Sequence, residues 1–549
     1  MDDGLLSKYL AGEAGDEERA RLRAALEADP SLADALFEAA ELEADLVQTQ
    51  RRAAAPRRRR WIALAAAAAL LVAAAIAFFR GGADLPRVEL VEGRVTPPLA
   101  PGDRLPAGQD LEVSRGRLVL RYEDGTRVEL GAGTALKDLE DGKGMTLARG
   151  MLSADVAKQS GGRAMVVRTA EGEARVLGTR FTLSARPGAT RLAVEKGQVR
   201  LTRRSDGASA NVGAGQVAVA STSSAPAALT FSPGTWVSVP GSTMSRVVPD
   251  PGAFPNVQAV SGPRAVIEAW SGAAFDTRRN RLVLWGGGYG DYFGNELYAF
   301  SAETLAWERL TDPSPSPRLN QERNDDGTPS GRATYNGLAY LAHADRFFGI
   351  GGCLAGKASI SARTPWSFDF DARRWTPGPP CPSGGVGGVC TVDPATRTVW
   401  WGDGTGLYSL GPQATSWTKQ HEDGFYYQTG AFDTKRGLWI LVGAGQVFSY
   451  DLRSPRPVRT VWKTSGADAV VAATNPGVDY DPVRDRVVAW AGGPVCALDP
   501  EARRWSVTDA PGAPRPTPNG IFGRWRYVPD LDAFIVVTAI DQDVHFYKP

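Results

Sequence analysis

The sequence predicts a multidomain, mainly β chain: a short helical N-terminal segment, one transmembrane helix, a β sandwich or roll, and a six-bladed β-propeller. Three observations predict it. Four consecutive arginines, Arg57 to Arg60, run into nineteen residues without a charge, Trp61 to Phe79. From Val88 onward apolar residues recur with period two, punctuated by turn residues at roughly eight- to twelve-residue intervals. From Ala274 a longer pattern repeats six times: an apolar pair ending near an Asp, a basic turn, a strand, then glycines.

Composition allows this. Of 549 residues, 43% are apolar and 22% charged, ordinary for chains that bury cores. A net charge of +1 argues against a general nucleic-acid binder. The average hides an acidic start, because residues 1–50 hold thirteen Asp or Glu against four Lys or Arg.

That start reads as three short amphipathic helices. Leu5, Leu6, Tyr9 and Leu10 share a face and Gly12 stops it. Asp16 caps a second helix carrying Leu22 and Leu26. Asp29-Pro30 opens a third, with Leu32, Leu36, Phe37, Ala40 and Val47. Its acidity suits a basic partner, or is simply a solvated face. Residues 51–60 form a basic linker with six arginines, Arg51, Arg52 and Arg57 to Arg60. The stretch 61–79, at ~1.5 Å per helical residue, reaches about 29 Å and matches a bilayer core. The arginine excess on its N-terminal side puts residues 1–60 in the cytoplasm and residues 80–549 outside. The expectation is a single-pass membrane protein with a small inside part and a large outside part.

Leu5-Leu6 to Leu10 with Gly12-Glu13, then Asp16-Glu17-Glu18, then Leu26 with Asp29-Pro30, resembles the cytoplasmic segment of transmembrane anti-sigma factors and FecR-type regulators. Zinc-binding members of that group use a His and paired Cys, and this chain has neither before residue 300. The resemblance therefore implies a version without zinc, whose partner is a sigma factor, placed in a bacterial inner membrane with its C-terminal domains in the periplasm.

Residues 87–220 form the first β domain. Leu118, Leu120 and Tyr122 alternate with Arg117, Val119 and Arg121, and Asp124-Gly125 turns the chain into Val128 and Leu130. Four motifs here resemble the FecR domain: Gly102-Asp103-Arg104-Leu105, Tyr122-Glu123-Asp124-Gly125-Thr126, Gly178-Thr179-Arg180-Phe181 and Val194-Glu195-Lys196-Gly197-Gln198-Val199. The resemblance implies an extracytoplasmic sensor half and no catalysis.

Residues 231–549 form the propeller. Five of the six repeats are followed by a lone tryptophan (Trp307, Trp375, Trp417, Trp462 and Trp505). The sixth is Trp236, ahead of the first repeat, which predicts that its strand completes the last blade and closes the ring. The glycine pairs and spaced tryptophans resemble kelch repeats.

Fold alone does not assign a function to a propeller. The candidate ligand loop is Gly288 to Asn295, where Tyr289, Asp291, Tyr292 and Asn295 suit a glycan or a peptide on a glycine-rich turn, or else pack the turn itself. The insert from Asp312 to Gly331 is a second exposed candidate. Three histidines (His343, His421 and His545) and the absence of any C-x-x-C pair leave little metal-ligand material, so neither metal, cofactor nor catalytic residue is expected. Cys353 follows a second strand and Cys381 precedes the third blade, on one side of the ring, which predicts a disulfide between them. Cys390 and Cys496 fall within strands as buried thiols.

The expectation is a membrane signal transducer that is not an enzyme. It binds an extracytoplasmic glycan, peptide or protein on the outside and a sigma factor through its acidic helices. The alternative is a membrane-anchored surface propeller for carbohydrate or protein binding, with no regulatory role.

Overall fold

The computed structural model describes residues 85–159, 164–222 and 227–549. The expected acidic segment, basic linker and membrane span lie outside the described residues. Among the described residues no helix is long and apolar enough to cross a membrane. Two compact units divide after Ala228, and both are mainly β.

The described part of the first unit is one continuous sheet curled around a single core that includes Leu118, Leu120, Leu152, Phe181, Leu183, Leu192 and Val199. The strand Gly144–Asp155 organises it, pairing antiparallel with Arg127–Leu130, Thr134–Lys137 and Arg180–Arg186, and parallel with Met165–Arg168. Sheet order then runs from Arg180–Arg186 through Ala189–Lys196 to Gln216–Ser221 on one side. On the other it runs from Met165–Arg168 through Gly172–Val176 and Gln198–Arg203 to Ser209–Gly213.

Two sequence motifs of this unit meet as one contact. Thr179 donates its hydroxyl to the Gln198 carbonyl at 2.9 Å. A Cβ on Gly197, where φ is +85°, would fall 2.9 Å from the Gly178 carbonyl oxygen. A third motif pins a turn. The Asp124 carboxylate accepts the Thr126 N–H at 2.9 Å, the Gln159 amide at 2.8 Å and the Lys143 ammonium at 3.0 Å. Burial alone would raise the Asp124 pKa, but those bonds outweigh it and hold it at about 2.

The second unit is a six-bladed propeller of four-stranded antiparallel blades. Their innermost strands are Gly272–Asp276, Leu338–Leu341, Val389–Asp393, Thr429–Asp433, Gly477–Asp481 and Trp525–Val528. Each adjoins the next, and the last adjoins the first, so the ring is closed. Blade six takes its outer strand, Thr235–Ser238, from the start of the unit, antiparallel to His545–Lys548 with Trp236 opposite Tyr547. Trp236 also packs against Trp490 and Trp525, with ring centroids at 5.1 and 5.7 Å.

The repeated Asp and basic turn have a specific physical role. Asp276, Asp433 and Asp481 end inner strands and are fully buried. One oxygen of each accepts two backbone N–H groups of the following turn, and the other accepts the turn's arginine. The same arginine reaches the next blade: Arg279 to Asp345, Arg436 to Asp485 and Arg484 to Asp532. Those receiving aspartates sit at positive φ in their own turns and are further held by Tyr340, Tyr480 and Tyr527. Between blades six and one, Asn280 donates to Asp530 instead, at 2.9 Å.

The expected disulfide is not formed: all four cysteines are free and buried. The two residues belong to different clusters. Cys353 lies in the short ladder Arg332–Ala333 with Cys353–Leu354, against Ala333, Tyr335 and Phe522. Cys381 packs instead with Cys390, Phe348, Ile350 and Trp401. Placement on one side of the ring did not specify which blade interface each thiol enters.

Candidate functional site

Half-exposed aromatic residues gather on one side of the propeller, where the loops after second strands and the connections between blades emerge. Trp270, Tyr289, Tyr426 and Tyr427 keep 38%, 43%, 48% and 48% of their surface, and Val260 keeps 90%. Their position follows from chain direction. Trp270 and the pair Tyr426-Tyr427 lie in the connections just ahead of the inner strands of blades one and four, and Tyr289 in the loop after a second strand. Backbone bonds link these segments around the mouth of the ring: Tyr335 N–H to the Trp270 carbonyl, Cys390 N–H to Asn336, Asn475 N–H to Tyr427, and Ile521 N–H to Asn475. The Asn336 side chain reaches across to the Gln428 carbonyl at 3.1 Å. The carbonyl oxygens of the Asn336, Gln428 and Asn475 side chains are buried with no donor to them.

The predicted ligand loop divides into two parts. Tyr289 is exposed, at φ +47°, and lines an apolar cavity of about 640 Å³ with Ala259, Val260, Gly290, Phe293 and Lys357. Asp291 faces a neighbouring, more polar recess with Arg264, Glu268 and Trp270. Its carboxylate accepts the Ser261 hydroxyl at 3.2 Å. Tyr292 and Asn295 are buried and shape the loop from beneath. Tyr292 donates to the Glu296 carboxyl at 2.7 Å, and Tyr298 donates to the same oxygen at 2.6 Å. Burial raises the Glu296 pKa against those two hydrogen bonds. Asn295 anchors the inserted segment, donating to Thr328 and to the Pro329 carbonyl and accepting the Ser314 N–H.

The insert 312–331 bonds to blades one and two. Glu322 accepts the N–H groups of Arg363 and Thr364, and Asn320 N–H donates to the Ala355 carbonyl at 2.7 Å. Sequence reasoning missed Trp270, Asn336, Tyr426, Gln428 and Asn475. Only Phe425-Tyr426-Tyr427 ahead of the fourth repeat carried a local signal, three aromatic residues in a connection flanked by Gly424 and Gly430. Among the described residues no group of three His, Cys, Asp or Glu is placed to hold a metal ion. What this face offers is recognition chemistry: exposed aromatic surfaces and an apolar hollow, above a layer of buried amide oxygens without donors.

Residues 109–200 match the model of the FecR protein family. The match spans most of the first unit's sheet, including the Asp124 turn and the Thr179–Gln198 contact, and it points to a regulatory role. Among solved structures, a candidate anti-sigma factor from Parabacteroides distasonis is similar at 19% identity and a TM-score of 0.19. That likeness covers 21% of this chain, which spans 57% of the other's length. A second crystal structure described in the same words gives 20% identity and the same TM-score of 0.19, over 21% of this chain and 56% of that one. The structure of YjhT is similar at 9% identity and a TM-score of 0.36, covering 52% of this chain and 95% of that one. No curated protein matches the chain.

Proposed function

We propose that the chain is a single-pass membrane signal transducer of the bacterial inner membrane. Its FecR-like domain and propeller face the periplasm, and residues 1–50 hold a sigma factor in the cytoplasm. The FecR match over residues 109–200 is the observation that carries this reading. The charge pattern supports it, with thirteen acidic residues in the first fifty and six arginines just before the uncharged stretch 61–79. The propeller, of kelch-like repeat, is the ligand-binding part, through the aromatic face at Trp270, Tyr289, Tyr426 and Tyr427. The protein works by coupled binding on two sides of a membrane, without chemistry at any residue.

The test is capture of the host's sigma factors by residues 1–55 as bait. Capture of one, weakened by salt, supports the reading, because an acidic segment holds a basic partner electrostatically. Failure to capture any at low salt transfers the function to a membrane-anchored binding propeller, a reading favoured by the same exposed aromatic face.

A further inference from the structure

Two arginines of the propeller are completely buried, and they differ in what surrounds them. Arg524 uses its whole guanidinium. Nε donates to the Val537 carbonyl, Nη1 to those of Ile267 and Ser271, and Nη2 to the Thr517 hydroxyl and the Gly520 carbonyl. Five N–H groups meet five acceptors without a carboxylate. Arg332 is equally buried, at 0% exposure, but only Nη1 has a partner, the Thr364 carbonyl at 3.3 Å. Its Nε and Nη2 have none. Burial lowers its pKa only to about 10, so it stays charged at neutral pH.

The neighbourhood of Arg332 adds further donors. Its guanidinium lies 5.1 Å from the centre of the Trp285 ring. Trp285 in turn rests against Gly349, where a Cβ would come within 2.7 Å of the indole, and Gly349 pairs with Trp366 in the antiparallel register. The indole N–H groups of Trp285 and Trp366 are both buried and unpartnered. Glu322 is the carboxylate whose charge acts on Arg332, but its oxygens are occupied by the backbone N–H groups of Arg363 and Thr364. The layer between blades one and two thus holds a cation and two indole donors with too few acceptors. A buried guanidinium whose hydrogen-bond donors are left unmatched destabilises the fold that holds it.

The vacant nitrogens are also the right pair. Nε and Nη2 form the side of the guanidinium that grips both oxygens of one carboxylate, as Arg117 does with Glu92 at 2.9 and 3.1 Å. We propose that Arg332 is the receptor for an oxyanion, a carboxylate or phosphoryl group, bound between the first and second propeller blades. This site needs no sigma factor, and it lies beneath the loop of Gly288 and Tyr289, which packs on the Arg332 backbone.

The test is thermal unfolding of the full chain in phosphate or in acetate, each against chloride at equal ionic strength. The unfolding midpoint rises with the logarithm of the concentration of at least one oxyanion. Phosphate alone assigns a phosphoryl group, and acetate assigns a carboxylate. Arg332→Lys, which keeps the charge and loses the two-pronged grip, weakens the apparent affinity at least about tenfold. Arg332→Met abolishes the response while remaining folded in chloride, since an apolar replacement of a buried, unpaired charge is tolerated. Lys137→Ala, an exposed cation of the first unit, leaves the response intact. No response to either oxyanion up to about 100 mM, or a response undiminished in Arg332→Lys, overturns the proposal.

Discussion

Arg436 joins two blades through Asp485: its Nη1 and Nη2 donate to the two carboxylate oxygens at 2.6 and 2.8 Å, while Nη1 also donates to Asp433 in its own blade at 2.8 Å. One side chain thereby closes the turn of blade four and clasps blade five. The repeat encodes the same clasp at Arg279 and Arg484.

A double-mutant cycle on Arg436→Leu and Asp485→Asn should give a coupling of about 1–2 kcal/mol in denaturant unfolding. The exposed pair Lys419 and Glu422 should give little in the same measurement. Equal couplings would show that the clasp does not hold the blades.

Acid should loosen the propeller through these aspartates. Hydrogen bonding from Arg279 lowers the Asp345 pKa to about 2 against its burial. A folded-state pKa below the unfolded value of about 3.9 contributes stability that is full above that value and lost as pH falls toward 2. Unfolding midpoints followed from pH 6 to pH 2 should drop across this window, and Asp345→Asn should flatten part of the drop.

Trp236→Ala should cost about 3–5 kcal/mol, because it empties a nearly buried site among Trp490, Trp525 and Tyr547. The loss should be read in propeller unfolding. A change under about 1 kcal/mol would mean that the closing strand is held by its backbone alone.

Gly197→Ala should destabilise the first unit by about 1–3 kcal/mol, since the site has positive φ and its Cβ would strike the Gly178 carbonyl. Gly207→Ala, also at positive φ but with nothing within 4 Å, should cost less. Identical losses would remove the contact between the two motifs as the cause.

Iodoacetamide at pH 8 should label none of the four cysteines in the folded protein and all of them after unfolding. Burial pushes the Cys381 thiol up to about 12 and the Cys496 thiol up to about 11, and Cys353 and Cys390 are raised in the same direction. A mass map showing Cys353 crosslinked to Cys381 would contradict the free thiols.

The propeller was legible because its repeat is written in local chemistry. Asp276 and Arg279 are three residues apart, and glycines must follow the second strand wherever a tryptophan of a neighbouring blade presses in, as Trp401 does on Gly351. The FecR-like unit was legible through its turns, Asp124-Gly125 above all. The face at the ring's mouth was not. Trp270, Asn336 and Tyr427 come from three different connections, and only closure of the ring brings them together. Tyr292 and Asn295 look like ligand residues in sequence, yet they are consumed by Glu296 and by the insert. The burial of Arg332 left no local trace, because it depends on which blade's loops close over it.

The seam between Thr235–Ser238 and His545–Lys548 also sets an order in time. The first strand of the propeller to be synthesised waits for the last, and every blade is made before the ring can shut. A chain cut short before His545 leaves Thr235–Ser238 and Ala533–Val536 as open edges, free to pair with another copy. For a cell, completion of this ring therefore rests on the strand His545–Lys548, since a product that stops short of it exposes the kind of strand edge that promotes aggregation.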